Sequence, residues 1–192
     1  SAALEVRPAV VAVGGGHGLA QSLLAARRYA GSITAVDSVA DDGGSSGRLR
    51  ADRPHLPAPG DVRRCLAALA AADSVLGRTL EHRCGGGGLD GHAFGNLLLA
   101  ALAEELGSFP AAVDVLGRRV GAAGRVLPAT IGPVRLVAHL SRSGRGRAVV
   151  GQVSVQNTAG VVRLDHEPAV PASPPEVAAA IPARTAAGTG KA

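Results

Sequence analysis

Aromatic residues are scarce in this chain: they account for 2% of its 192 residues, and tryptophan is absent. A folded core must therefore be built from valine, leucine, isoleucine and alanine within a hydrophobic fraction of 46%. The scarcity also disfavours a nucleic-acid-binding module, because such modules use aromatic stacking residues or a concentrated basic helix. The net charge of +5 comes almost entirely from arginine, which a GC-rich genome explains better than a polyanionic partner does.

Cysteines, long apolar runs and hydrolase motifs are also few or missing. Cys65 and Cys84 match no zinc or redox spacing, so we expect reduced thiols that act as small core residues. No apolar run approaches the ~18 residues that span a membrane, and Ser1–Pro8 lacks the apolar segment of a signal peptide. We therefore predict a cytoplasmic protein without a membrane span. The absence of a Ser-His-Asp order, an HExxH motif and a Walker loop disfavours hydrolases and P-loop NTPases.

Two glycine-rich segments each follow an apolar, strand-like run. Pro8–Val13 is typical of a strand buried on both faces, and Gly14–Gly18 follows it before a helix predicted over Leu19–Tyr29. Ser32–Val39 predicts a second strand, which leads into the acidic segment Asp41–Gly47. Because the carboxyl ends of parallel strands meet at one edge of a sheet, we expect the two segments to serve one ligand there.

The remaining pattern continues the alternation of strands and helices. Further helices are predicted over Asp61–Ala72, Ser74–Arg83, Phe94–Leu106, Pro110–Leu116 and Pro175–Ile181. Further strands are predicted over Arg125–Pro128, Val134–Leu140 and Ala148–Val155, with a mobile connector over Cys84–Gly91 and a hairpin turn over Ser141–Arg147. This order indicates the α/β class, with a mostly parallel sheet and a later β-strand region. We assign residues 1–181 to one domain and residues 182–192 to a flexible tail.

The acidic segment combines three kinds of ligand-binding group. Asp41 and Asp42 are suited to a divalent cation such as Mg²⁺, or to ribose hydroxyls. The Gly43–Gly47 run can wrap a phosphate with backbone N–H groups, and Arg48 and Arg50 can neutralise it. A plain surface turn needs one or two of these residues rather than all of them together.

The first glycine segment resembles a dinucleotide-type phosphate loop. It departs from the G-x-G-x-x-G pattern because Leu19 occupies the third glycine position, so a simple tight turn stays an alternative. Asp37, near the end of the second strand, can meet a ribose or be a solvated strand end, and we leave it out of the predicted site.

Two further segments carry polar groups near predicted helix starts. Pro59–Cys65 places Asp61 and Arg63 in a first turn, where a helix cap with surface arginines is the alternative. His92 and Asn96 share a helix face, with capping roles as the alternative. Gly95 between them costs about 1 kcal/mol relative to alanine, which close approach of a ligand or another backbone would explain. The candidate ligand-binding residues are Gly15, Gly16, His17, Gly18, Asp41, Asp42, Gly43, Gly44, Ser45, Ser46, Arg48, Asp61, Arg63, His92 and Asn96.

Five segments together resemble the gluconeogenesis factor (YvcK-type) family, which is grouped with the 2-phospho-lactate transferases of coenzyme F420 synthesis. They occur in the family's order as Gly14–Leu19, Ile33–Arg50, Pro59–Leu69, Gly91–Leu102 and Gly124–Leu140. The resemblance implies a Rossmann-like three-layer fold and a cytoplasmic bacterial protein that binds a UDP-activated sugar or a similar nucleotide. It also implies a regulatory role in cell shape and envelope synthesis during gluconeogenic growth. It brings no established reaction, and it leaves the oligomeric state open, a homo-oligomer included.

The related transferases imply an alternative, a metal-dependent enzyme acting on a deazaflavin. They carry an acidic pair after the second strand, which Asp41 and Asp42 match, but the low aromatic content leaves few stacking partners for a deazaflavin ring.

The chain also departs from the family. Asp37 and Ser38 stand where the family has an apolar residue and threonine, and a later glycine-rich loop has no counterpart after Ile181. We therefore expect a fold that is incomplete at its C-terminal end.

Overall fold

Three parallel strands form the central sheet of the computed structural model, which describes residues 7–140 and 148–181 of the chain. Strands β1 (Ala9–Gly14), β2 (Ser32–Asp37) and β3 (Arg125–Pro128) lie side by side in that order. Helix α1 (Gly16–Ala26) connects β1 to β2, as parallel neighbours require a crossover. The predicted α/β class with a parallel sheet is confirmed.

Helices cover one face of this sheet and enclose the main core. Those between β2 and β3 are α2 (Gly44–Asp52), α3 (Pro59–Leu69), α4 (Val75–Thr79), α5 (Phe94–Leu106) and α6 (Phe109–Arg119). Leu23 of α1, Leu66 of α3 and Leu116 of α6 are buried in one cluster with Ile33 of β2. Phe109 is the aromatic member of that buried cluster, so the core is aliphatic, as the composition predicts.

The opposite face of the sheet is covered over strands β2 and β3. Helix α8 (Pro175–Ala180) contributes Val177, which packs against Val36 and Leu127. On β1, by contrast, Val13 is 65% exposed, so the prediction that the strand Pro8–Val13 is buried on both faces is wrong. Within the described residues, this face therefore remains open at the β1 edge.

A separate antiparallel sheet follows the parallel one. Strands β4 (Arg135–His139), β5 (Ala148–Val150) and β6 (Arg163–Glu167) lie in the order β5-β4-β6. This sheet confirms the predicted later β-strand region. The sequence does not predict β6, because its residues RLDHE offer no continuous apolar face, and all five are at least partly exposed.

The strand predicted over Ala148–Val155 is wrong in its second half. The strand ends before Gly151, which adopts a φ of +101°, and helix α7 (Gln152–Gln156) follows. The side chain of Asp42 accepts a hydrogen bond from a backbone N–H in the first turn of α7. A carboxylate far away in sequence thus caps a short helix that its own β-branched residues do not predict.

Both segments predicted as glycine loops are largely helical. Helix α1 begins at Gly16 rather than at Leu19, and α2 occupies the predicted loop from Gly44 onward. Packing overrides the low helix propensity of glycine and serine, since Ser45 and Leu49 of α2 are buried.

Some predicted segments are shorter than expected or lie elsewhere. The helix predicted over Ser74–Arg83 is reduced to α4, and Cys84–Gly91 contains a short 3₁₀ turn. The hairpin turn predicted over Ser141–Arg147 and the tail at Pro182–Ala192 lie outside the described residues. No helix in the described part of the chain is long and apolar enough to cross a bilayer.

Candidate functional site

The N-termini of α2 and α3 meet beside the carboxyl edge of the parallel sheet. Glycine at position 60 permits the contact, because a Cβ there would lie 2.5 Å from Ser46 Oγ and 2.8 Å from Asp41 Oδ2. The N–H groups in the first turn of a helix have no partner within that helix, and the helix dipole places partial positive charge there. Two helix N-termini therefore raise the electrostatic potential at one place.

A polar cavity of about 180 Å³ lies at this junction and is hereafter called the polar cavity. It is lined by Asp41, Gly43, Gly44, Ser45, Ser46, Gly60, Arg63, Arg64, Arg83 and Asn96. The lining holds three arginines and one carboxylate, an excess of positive charge that Glu81 and Asp61 partly offset through their ion pairs with Arg63 and Arg64. Together with the helix N-termini, this excess makes the cavity suited to an anion.

Arg63 is the most unusual residue of the polar cavity. Its side chain is 1% exposed, and Nε and Nη1 donate no hydrogen bond within the described residues. The nearest carboxylate is that of Glu81, 3.3 Å from Nη1. Burial lowers the pKa of Arg63 and the Glu81 carboxylate opposes the shift. A buried guanidinium with unused donors is costly unless an anion accepts from them.

Gly95 makes room for this arginine. A Cβ at position 95 would lie 2.7 Å from Arg63 Cγ and 2.9 Å from the carbonyl oxygen of Leu80. The close approach that the sequence predicts at Gly95 is therefore made by the Arg63 side chain and a backbone carbonyl.

Ser45 connects α2 to the start of α5. Its Oγ accepts hydrogen bonds from Ala93 N–H at 3.2 Å and from Asn96 Nδ2 at 3.0 Å, and lies 3.0 Å from His92 Nδ1. Because the two donors occupy its lone pairs, the hydroxyl donates to His92, whose Nδ1 is then unprotonated. Burial lowers the pKa of His92, with nearby Arg48 adding to the effect, which agrees with a neutral ring.

Asn96 has a free acceptor as well. Its Oδ1 is buried and accepts no hydrogen bond from the described residues, although Asn96 lines the polar cavity. The cavity thus offers unused donors on Arg63 and an unused acceptor on Asn96. The prediction that His92 and Asn96 share a helix face is wrong, because α5 begins at Phe94 and His92 precedes it. Both side chains nevertheless contact Ser45, and His92 reaches the cavity through that residue.

The carboxylates of Asp41 and Asp42 point to different places. Asp41 lines the polar cavity and accepts from Gly43 N–H at 3.0 Å. Asp42 accepts from Val153 N–H at 2.9 Å and lines a separate cavity beside Arg50. The described residues contain no group of three or more His, Cys, Asp or Glu side chains that could hold a metal ion. A Mg²⁺ ion shared by this pair does not fit the arrangement.

The arginines near the polar cavity have two different roles, which the sequence does not reveal. Arg48 donates to the carbonyl of Asp90 at 2.7 Å, and Arg50 donates to the carbonyls of Asp41 and Val134. Both side chains therefore form hydrogen bonds to the backbone and do not line the polar cavity. Arg64 and Arg83 line it instead. Arg83 comes from a distant segment with no motif, and tertiary structure alone reveals it.

Asp37 is completely buried, so the alternative of a solvated strand end is wrong. Its Oδ1 lies 4.0 Å from Cys65 Sγ, and its Oδ2 has no hydrogen-bond partner in the described part of the chain. Burial raises the pKa of Asp37 well above its ordinary value, and the Asp61 carboxylate raises it further against the opposing charge of Arg64. Both influences favour the protonated, uncharged form of Asp37. Burial also raises the pKa of the Cys65 thiol.

The first glycine segment lies at the same edge of the sheet but outside the polar cavity. A Cβ at Gly15 would lie 3.3 Å from Asp61 Oδ2, and Asp61 is itself paired with Arg64. His17 and Gly18 are exposed. Seven predicted residues line the polar cavity, namely Asp41, Gly43, Gly44, Ser45, Ser46, Arg63 and Asn96. The predicted residues outside its lining are Gly15, Gly16, His17, Gly18, Asp42, Arg48, Asp61 and His92.

The parallel sheet, with a polar cavity among helix N-termini at its carboxyl edge, defines an open α/β protein. Residues 10–186 match the model of a family described as CofD, 2-phospho-L-lactate transferase. The chain belongs to this family.

Relatives and a solved structure agree with this assignment. The chain is 48% identical over 189 residues to a protein of Mycobacterium tuberculosis H37Rv and 43% identical over 178 residues to one of Nostoc sp. PCC 7120, both named "Putative gluconeogenesis factor". These matches cover 93% and 92% of this chain, but 54% and 38% of the relatives. The crystal structure of protein BH3568 from Bacillus halodurans matches with a TM-score of 0.82 and 36% identity, over 91% of this chain and 56% of that one.

Proposed function

We propose that this chain binds a nucleotide-activated sugar and that the phosphates of the ligand occupy the polar cavity. The observation that carries the proposal is Arg63, a buried cation whose Nε and Nη1 donate no hydrogen bond within the described residues. Phosphate oxygens would accept from these nitrogens and from the first-turn N–H groups of α2. A diphosphate would thereby supply acceptors for donors that the protein itself leaves unused, beside the ion pair of Arg63 with Glu81.

The other predicted residues have supporting roles in this proposal. Arg64 and Arg83 would balance charge at the wall and rim, and Asn96 Oδ1 and Asp41 would accept from ligand hydroxyls. Ser45 would hold His92 and Asn96 in place behind the phosphates. The glycine segment Gly15–Gly18, with exposed His17, would flank the outer part of the ligand.

Two relatives are named "Putative gluconeogenesis factor", a name that specifies no reaction. We propose that ligand occupancy in the cytoplasm reports the supply of activated sugar for envelope synthesis and cell shape during gluconeogenic growth. A metal-dependent transferase, as the family description suggests, has less support, because the carboxylates of Asp41 and Asp42 diverge.

Titration calorimetry with UDP-N-acetylglucosamine tests the proposal. Arg83→Ala should weaken binding by about tenfold, because one charge-assisted hydrogen bond to a phosphate is removed. Arg28→Ala is the matched control, since it removes the same charge from an exposed position on α1's C-terminal side, away from the polar cavity. Absence of binding by the wild-type protein, or equal losses in both variants, would contradict the proposal.

A further inference from the structure

The amino-terminal edge of the parallel sheet lies at the end of α3 that is remote from the polar cavity. Helices α1, α3 and α6 all end there. Arg27 Nη1, just after α1, donates to the Ala68 carbonyl of α3 at 2.8 Å, and Ala71 N–H donates to the carbonyl of Val120 at 3.0 Å. Six arginines lie on these helix ends and the segments beside them, and we call them the basic edge: Arg27, Arg28, Arg78, Arg118, Arg119 and Arg125.

The charges of the basic edge are not balanced locally. The carboxylates beside it are those of Asp73 and Asp114, whereas Asp and Glu outnumber Arg in the rest of the described chain. A GC-rich genome raises the number of arginines but does not decide where they lie. The helix dipole favours arginines at helix C-termini, yet Arg118 and Arg119 are exposed and form no ion pair with any described residue. The edge therefore presents positive charge to the solvent.

A groove of about 490 Å³ opens between α6 and β3 within the basic edge, and we call it the α6–β3 groove. Leu66, Val113 and Val126 form an apolar floor and are all buried. Gly117 of α6 also lines it, although glycine inside a helix costs about 1 kcal/mol relative to alanine. A Cβ at position 117 would lie 3.4 Å from Leu66 Cδ2, so packing within the chain does not require glycine there. A partner side chain seated in the groove would explain it.

The rim of the α6–β3 groove is charged. Arg118, Arg125 and Asp114 are among its lining residues. Asp114 Oδ1 lies 3.8 Å from Arg125 Nη2, and both side chains are about half exposed. Arg118 has no such counterpart in the part of the chain that the structure describes. An apolar floor beside an unpaired guanidinium suits a ligand that brings one apolar side chain together with carboxylates.

We propose that the α6–β3 groove docks an acidic segment of a partner protein. An apolar side chain of that segment sits on the floor, and its carboxylates pair with Arg118 and with Arg119 beside the groove. A guanidinium can donate two parallel hydrogen bonds to one carboxylate, and arginine is frequent among the residues that dominate protein interfaces. Lipid headgroups and nucleic-acid backbones would match the charge, but they bring no apolar side chain to the floor. The described lining also holds no aromatic residue on which a base could stack.

Substitutions in the groove separate the floor from the charge. Ala122→Leu narrows the groove, and Ala123→Leu is its matched control, because Ala123 is the next residue, exposed and outside the lining. Gly117→Leu fills the groove from α6 as a second floor variant, which carries the test if Ala122→Leu does not fold. Arg118→Gln removes the charge at the rim, with Arg163→Gln on the exposed antiparallel sheet as the control.

The probe is a library of short random peptides displayed on phage and selected on the immobilised wild-type protein. We expect the enriched peptides to combine Asp or Glu with a large apolar residue. Fluorescence anisotropy then measures the affinity of the most enriched peptide for each folded variant. Ala122→Leu, Gly117→Leu and Arg118→Gln should each weaken binding by about tenfold, because burial or a charge-assisted hydrogen bond is lost. Both control variants should bind the peptide like wild type.

Three results would overturn the proposal. The first is enrichment of peptides without carboxylates, and the second is binding to the floor variants as tight as to wild type. Vesicles of phosphatidylglycerol and duplex DNA are titrated alongside. Binding of either that Ala122→Leu leaves unchanged, with no acidic peptide enriched, is the third, and it would assign the basic edge to that polyanion instead.

Discussion

The antiparallel sheet and the polar cavity use the same kinds of charged side chain in different surroundings. On the sheet, Arg163 Nη2 lies 2.7 Å from Asp165 Oδ2, and His139 Nε2 lies 3.0 Å from the same oxygen. The Arg163 side chain there is 60% exposed. In the polar cavity, Arg63 is 1% exposed and two of its nitrogens donate no hydrogen bond to the described residues.

The difference shows what marks a ligand site in this protein. Exposed ion pairs contribute about 0–1 kcal/mol and are satisfied by each other and by water. A buried cation with unused donors destabilises the folded state unless a partner accepts from it. Burial of donors that make no hydrogen bond therefore distinguishes the polar cavity, whereas the number of charges does not.

The largest effect on stability is expected at Gly95. Gly95→Ala should lower the free energy of unfolding by about 1–3 kcal/mol, because the new Cβ would overlap Arg63 and the Leu80 carbonyl. Urea unfolding followed by circular dichroism measures the change. Gly18→Ala is the control within a helix, because a Cβ there meets nothing within 4 Å. It should be neutral or stabilising by up to about 1 kcal/mol, and equal losses in both variants would contradict the packing argument.

A smaller effect, dependent on pH, is expected at Asp37. In the unfolded chain an aspartate releases its proton near a pKa of about 3.9, whereas burial and Asp61 raise the pKa of Asp37 in the folded state. Wild type should therefore lose stability as pH rises from about 4 towards the raised folded-state pKa. Asp37→Asn should remove this contribution to the slope.

Urea unfolding across that pH range compares Asp37→Asn with Asp165→Asn, the same substitution on the exposed sheet. Asp37→Asn should gain stability relative to wild type as pH rises. An unchanged slope would contradict a raised pKa of Asp37 in the folded state.

The smallest effect is expected for the exposed ion pairs themselves. Asp165→Asn should change the free energy of unfolding by less than about 1 kcal/mol at neutral pH, because its partners remain solvated. Added salt should reduce even that difference. A loss of unfolding free energy as large as that of Gly95→Ala would mean that the antiparallel sheet depends on the Asp165 carboxylate. It would contradict the conclusion that exposed ion pairs contribute little to stability.

Periodicity in the sequence predicts the parts of the fold that bury one continuous face. The strands at the start of the chain and the helix Phe94–Leu106 follow from apolar spacing, and the latter has the predicted bounds. Helix α2 escapes prediction because glycine and serine start it, and contacts such as that of Ser45 with Asn96 stabilise it. Strand β6 is not predicted because it forms by pairing with β4 and has no apolar face that the sequence could reveal.

The residues of the candidate site, like the elements of the fold, can be predicted only in part from the sequence. Sequence motifs indicate Asp41, the Gly43–Ser46 segment, Arg63 and Asn96, because these residue types follow a predicted strand or lie near predicted helix starts. They do not separate Asp41 from Asp42, since neighbouring carboxylates look alike until Val153 is placed beside one of them. Arg83 is beyond prediction for the same reason, because folding alone brings it to the polar cavity.

Substitution of Arg63 tests the central claim most directly. Arg63→Met keeps an unbranched side chain of similar length and removes the charge, with Arg163→Met on the exposed sheet as the control. Titration calorimetry with UDP-N-acetylglucosamine should show binding weakened by about a hundredfold in Arg63→Met and unchanged binding in Arg163→Met. A folded Arg63→Met protein that binds the ligand as tightly as wild type would contradict the claim that the polar cavity holds the phosphates.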